Sequence, residues 1–112
     1  MRIETNGAAS LDSVFGALAD PTRRDILRRV AGNQLSISQI AKEYNLTFAA
    51  VSKHLMVLEK AKLIIKRRVG RRQFVRAHPT GLKDAAEYLD WYKSFMGAQY
   101  ESLEIYLSNP ST

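Results

Sequence analysis

Residues 47–55, Thr47-Phe48-Ala49-Ala50-Val51-Ser52-Lys53-His54-Leu55 (TFAAVSKHL), decide how the rest of the chain is read. Val51 and Leu55, with Leu58 just beyond, stand at helical spacing and form a stripe for burial. Thr47 is suited to cap the first turn with its hydroxyl. The opposite face carries Ala49, Ser52, Lys53 and Met56, with Lys60 one turn on, and no acid until Glu59. Short side chains and lysines on an exposed face fit close approach to something large and negatively charged.

Outward from this stretch the elements follow at short intervals. Asn45-Leu46 reads as a tight turn. Ser36-Ile37-Ser38-Gln39 is a capping-box pattern opening a short helix through Tyr44, with Ile37, Ile40 and Ala41 inward. Before it, Asp20-Pro21 gives an N-cap acceptor and a fixed φ, and the helix from Pro21 to Ala31 buries Ile26, Leu27 and Val30 before Gly32-Asn33. Leu11, Val14, Phe15 and Leu18 predict a first amphipathic helix over Leu11–Leu18, preceded by a loose arm, residues 1–10. Downstream, two β-rich runs, Leu63–Arg68 and Arg72–Ala77, flank Gly70 and read as a hairpin with arginines at its tip. The last helix, about Thr80 to Ser108, repeats every seven residues through Leu82, Leu89, Met96 and Leu103, with Tyr92 and Tyr100 at a second position; residues 109–112 form a tail.

Short helix, tight turn, longer helix and basic hairpin, in that order, predict a mostly α fold with a small β-hairpin. This is the order of a winged helix-turn-helix, here over residues 11–108. Such a helix fits the DNA major groove while its predecessor crosses the backbone. Thr47 and the amides it caps lie at the positive helix end, suited to a phosphate oxygen. Ser52 and Lys53 reach bases or phosphates, and Ala49 or Met56 can touch a thymine methyl. Phe48 either covers the core or contacts the groove wall, and His54, on the flank of the buried stripe, bonds to backbone or to a phosphate. Arg67, Arg68, Arg71 and Arg72 around Gly70 enter a minor groove or bridge phosphates; the plainer alternative is an edge hairpin protected by charge.

Charge distribution agrees. The 112 residues fit one domain with a modest core, and the net charge is +6. From Pro21 to His78 there are 14 lysines and arginines against three acids, and from Lys60 to Arg76 eight basic residues and no acid. An ordinary solvated surface intersperses its signs, so a polyanion-binding middle is the better account. With no cysteine, disulfides, thiolate metal sites and cysteine nucleophiles are excluded. Met1 to Ser10 lacks the apolar core of a signal peptide, and no run approaches the roughly 20 apolar residues that span a bilayer. The expectation is a soluble, cytoplasmic chain with no membrane partner. No catalytic constellation or cofactor motif is present; Asp84, Glu87 and Asp90 on one helix face could host a hard cation, but read more simply as a solvated face.

The last helix exposes a stripe too wide for so small a body to cover. Pairing Val14, Phe15 and Leu18 with Leu89, Tyr92, Met96 and Leu103, within and between two copies, buries it and predicts a homodimer. A two-fold dimer sets two groove helices about one DNA turn apart, roughly 34 Å.

The stretches ALADPTRRDILRRV, ISQIAKEYNLTFAAVSKHLMVLEKAKLI and KRRVGRRQFVRAHP resemble the ArsR family of winged helix-turn-helix repressors over about Leu11 to Leu107. The most specific part is V-S-K-H-L-x-x-L followed by R-x-G-R. The resemblance implies a homodimeric bacterial repressor acting at a double-stranded DNA operator, often of its own operon. Carried over by position, it points to Thr47, Phe48, Ala49, Ala50, Ser52, Lys53 and His54 for recognition and to Arg68, Gly70, Arg71 and Arg72 for the wing. Metal-sensing members carry two cysteines in an E-L-C-V-C-D-L pattern, where this chain has Ser36 and Ser38; neutral hydroxyls are poor ligands for soft metals. No histidine stands on the last helix beside Asp84 and Glu87. The chain therefore looks like the metal-free branch with an aromatic last helix. Lys62 stands where the family usually has glycine, at a cost on the order of 1 kcal/mol if the site is left-handed. The competing expectations are a winged-helix module binding an acidic protein and a repressor answering to a small molecule.

Overall fold

A computed structural model describes residues 6–108; residues 1–5 of the expected arm and the tail 109–112 lie outside them. The order is α1 (Asn6–Ala17), α2 (Pro21–Gly32), β1 (Leu35–Ser36), α3 (Ile37–Tyr44), α4 (Phe48–Lys60), β2 (Ile64–Val69), β3 (Arg72–Ala77) and α5 (Pro79–Ser108). Helix α1 starts at Asn6 rather than Leu11, so residues 6–10 are helical and not arm. Apolar spacing marks only the face that packs, so it does not show how far the helix runs beyond that face.

Local chemistry fixes each helix end. Asp20 accepts the Arg23 N–H at 3.0 Å and Pro21 opens α2. Both halves of the Ser36 capping box form: Ser36 Oγ accepts from the Gln39 N–H at 3.1 Å, and Gln39 Oε1 accepts from the Ser36 N–H at 2.8 Å. Asn45 closes α3 in the left-handed region, φ 53°, and Thr47 Oγ1 accepts the Ala50 N–H at 3.1 Å to open α4. The helix-turn-helix is thus set by residues 36–50 themselves.

The hairpin is more than the two strands the sequence predicts. β1 pairs with β3 (Leu35 opposite Val75, Ser36 opposite Phe74), giving a three-stranded antiparallel sheet in the order β1-β3-β2. Ser36 therefore ties the sheet to the start of α3. One core joins all of this, with Ile26, Ile40, Val51, Leu55, Leu58, Leu63, Ile64 and Val75 almost fully enclosed. Val14 belongs to it at 0% exposure, which corrects its expected place on a dimer face: α1 turns it into its own protomer. Leu18 also packs against this core, half-buried.

The exit from α4 is tight. Lys62 does adopt the left-handed conformation, φ 59°, and its carbonyl accepts the Gly81 N–H at 3.0 Å. This contact docks the first turn of α5, where Gly81 and Ala85 are buried. Beyond Ala85 no residue of the helix is buried. Its 30 residues run about 45 Å, in a molecule measuring 68 × 36 × 21 Å.

A polar cluster couples α2 to α3. Tyr44 donates its hydroxyl proton to Asp25, which also takes bonds from Arg28 and from Arg29 Nε (3.0 Å), while Arg29 Nη1 reaches Glu43 at 3.0 Å. The Tyr44 hydrogen bond and the two arginines hold the Asp25 carboxyl well below the usual carboxylate range. Burial, then the bond to Asp25, pushes the Tyr44 phenol up to about 12 from 10.0. Because the folded pKa is the higher one, this group's stabilisation is complete below pH 10 and is lost as pH rises through about 12. Tyr44→Phe should therefore remove part of the fall in stability between those pH values, measured by denaturant unfolding. An identical alkaline profile in both proteins contradicts the assignment.

Candidate nucleic-acid interface

Helix α4 turns Val51, Leu55 and Leu58 into the core and leaves Thr47, Ala49, Lys53, Met56 and Lys60 exposed, with Ala50 and Ser52 half-buried. Among the described residues, the three acids of the basic middle are all engaged elsewhere: Asp25 with Arg28 and Arg29, Glu43 with Arg29, and Glu59 with Lys66 at 3.2 Å. None neutralises Lys53 or the wing tip. Phe48 is 57% exposed, so it does not cover the core.

Sequence reading left His54 between backbone and phosphate, and the structure gives it another partner. Its Nδ1 lies 3.3 Å from Arg23 Nη1 and 4.0 Å from Asp20 Oδ2. A guanidinium only donates, so in a hydrogen bond with Arg23 it is Nδ1 that accepts. Arg23 is the residue that motif reading missed. Its Nε donates to the Ala17 carbonyl at 2.7 Å and its Nη2 to the Gly16 carbonyl at 3.2 Å, closing α1 while holding α4 through His54. Arg24 adds a bond to the Leu18 carbonyl at 2.8 Å. This junction ties α4 to the corner between α1 and α2.

In the wing, Gly70 and Arg71 form a two-residue loop between the paired Val69 and Arg72. Only Gly70 has positive φ, 63°, the pattern of a II′ turn, which favours glycine at its first central position. Arg67, Arg68, Arg71 and Arg72 are exposed, whereas Lys66 is half-buried against Glu59. The Arg72 guanidinium stacks 5.2 Å from the Phe74 ring centre, which steadies it. Phe48 and the arginines at 68, 71 and 72 line one cleft of about 300 Å³. The start of α4 and the wing thus form one basic surface.

On α5, Leu89 (52%) and Trp91 (62%) are exposed, as are Tyr92, Phe95, Tyr100 and Leu103, with Met96 half-buried. Phe15 lies edge-on to Tyr88 at 5.9 Å, and Trp91 stacks with Phe95 at 6.2 Å. Among the described residues, no three His, Asp or Glu side chains come together to hold a metal ion, and no helix is long and apolar enough to cross a membrane.

A groove-sized helix whose exposed face carries no acid before Glu59, beside an arginine wing, defines a winged helix-turn-helix transcriptional regulator. Comparison with known proteins gives the family. Residues 20–66 match the model described as "Bacterial regulatory protein, arsR family". The HTH-type transcriptional regulator Rv2034 of Mycobacterium tuberculosis is 38% identical over 90 residues, 79% of this chain and 84% of that one. The transcriptional repressor SdpR of Bacillus subtilis is 31% identical over 86 residues, 77% and 92% of the two chains. A solved ArsR-like transcriptional regulator from Rhodococcus sp. RHA1 superposes with a TM-score of 0.74 at 29% identity, covering 94% of this chain and 97% of that one. The chain belongs to the ArsR family, whose members regulate transcription and are not enzymes.

Proposed function

We propose that this regulator is a cytoplasmic repressor that binds a palindromic operator as a homodimer and acts on its own operon. The observation that carries the reading is the shared basic surface of α4 and the wing, where no acid of the basic middle is paired to Lys53, Arg68, Arg71 or Arg72. In this reading Ala49, Ala50, Ser52 and Lys53 meet the major groove, and Thr47 with the first amides of α4 meets a phosphate. Arg68, Arg71 and Arg72, placed by the Gly70 turn, hold the flanking backbone or minor groove. His54 positions the helix through Arg23. The second copy covers the α5 face, since isolated apolar patches of this breadth mark protein contacts.

Fluorescence anisotropy with DNA from its own promoter and with scrambled DNA, at several salt concentrations, tests this. Binding should be salt-sensitive and sequence-dependent; equal affinity for both DNAs rejects the repressor reading. Arg71→Ala with Arg72→Ala should weaken binding to both and reduce the slope of log K against log salt by about 4, since each substitution is present in both copies of the dimer. An unchanged slope removes the wing from the interface. Lys53→Ala should weaken operator binding, changing base preference only where Lys53 meets a base edge.

A further inference from the structure

The cleft between the wing and the starts of α3 and α4 has the makings of a small-ligand site as well as a surface for DNA. Arg68, Arg71 and Arg72 line it, and among the described residues no carboxylate pairs with any of them. Like charges gathered without a counter-charge raise the local affinity for an anion. Ser38, exposed in the first turn of α3, adds a hydroxyl where the helix end favours negative charge. Ser36 also borders the cleft, but its hydroxyl is already taken by the Gln39 N–H. The remaining wall is the exposed Phe48 ring, the edge of Ile37 and the side chain of Gln73. A volume of about 300 Å³ lies at the small end of ligand sites.

We propose that this cleft binds a small organic phosphate, with its phosphate on the arginines and Ser38 and its flat apolar part on Phe48, and that occupancy competes with DNA. Guanidinium forks match phosphate oxygens in pairs. A duplex can lay a phosphate on the rim, but its backbone brings no flat apolar group to Phe48; a free aryl or nucleoside phosphate brings both. The competition rests on the repressor reading, because it needs the same arginines on DNA. The binding does not.

The experiment is titration calorimetry of the full chain with phenyl phosphate, inorganic phosphate and phenol at constant ionic strength. One ring face laid on Phe48 buries on the order of 50 Å², so phenyl phosphate should bind about tenfold tighter than inorganic phosphate. Phenol should give no binding. Phe48→Ala should erase the margin between the two phosphates, and Arg71→Ala with Arg72→Ala should abolish binding of both. Phenyl phosphate should also raise the operator Kd in the anisotropy assay. Absent binding, equal affinity for the two phosphates, or indifference to these substitutions overturns the site; binding that leaves operator affinity unchanged overturns the competition. Loss of sequence-dependent DNA binding with phenyl phosphate binding intact rejects the repressor reading alone.

Discussion

Changing Leu89 and Met96 together to glutamate should yield a monomer whose operator affinity falls by about a hundredfold or more. Leu89 is half exposed and Met96 partly buried on a helix with no buried residue after Ala85, and neither packs against the protomer core. Two carboxylates on this face put unpaired charges into any apolar pairing of α5 with a second copy. A monomer reads one half-site, and the second binding event no longer follows as an intramolecular step. Sedimentation gives the oligomeric state and anisotropy the affinity. A variant that stays folded and monomeric yet keeps wild-type affinity excludes paired reading of the operator. A wild type already monomeric at micromolar concentration excludes the dimer.

The second large effect is on stability. A methyl group added at Gly81 would lie 2.5 Å from the Ala61 carbonyl oxygen and 2.7 Å from that of Lys62. Both are backbone atoms in the turn that ends α4, so no side chain can swing aside. Relief requires α5 to lift from the body, breaking the Gly81 N–H bond to Lys62 and opening the core at Ala85. Gly81→Ala should cost about 3 kcal/mol, a fall in Tm on the order of 10 °C. Gly97 in the same helix has nothing within 4 Å of an added methyl. Gly97→Ala should hold or raise Tm, since alanine is the better helix former. Equal effects at the two positions contradict the docking of α5 on the α4 turn.

What the sequence disclosed was the part written in local chemistry. Val51, Leu55 and Leu58 give their face by spacing alone, and the Ser36–Gln39 box, Asn45 and Thr47 each act on amides within a few residues. The hairpin at Gly70 was legible for the same reason, whereas the left-handed conformation at Lys62 came into view only through the family resemblance. Contacts made across the fold were not. β1 has two residues, too few to show alternation, and it exists because β3 lies alongside. Apolar spacing marked the inward side of α1 but did not say which body covers it, so Val14 was expected at an interface and lies in the core. Arg23 carries no motif for reaching Gly16, Ala17 and His54 at once; only the packing of α1, α2 and α4 brings them together. Phe48, ambiguous by helical position, is exposed beside the wing and does not lie over the core.

The most direct test of DNA reading by paired α4 helices is methylation interference on the operator, since methyl groups on guanine N7 obstruct the major groove. Two clusters of interfering guanines, centred about 10 base pairs apart and related by the operator's symmetry, are the result expected when two copies of α4 enter successive grooves. Tight, sequence-dependent binding that no major-groove methyl disturbs, or a single cluster, would contradict it.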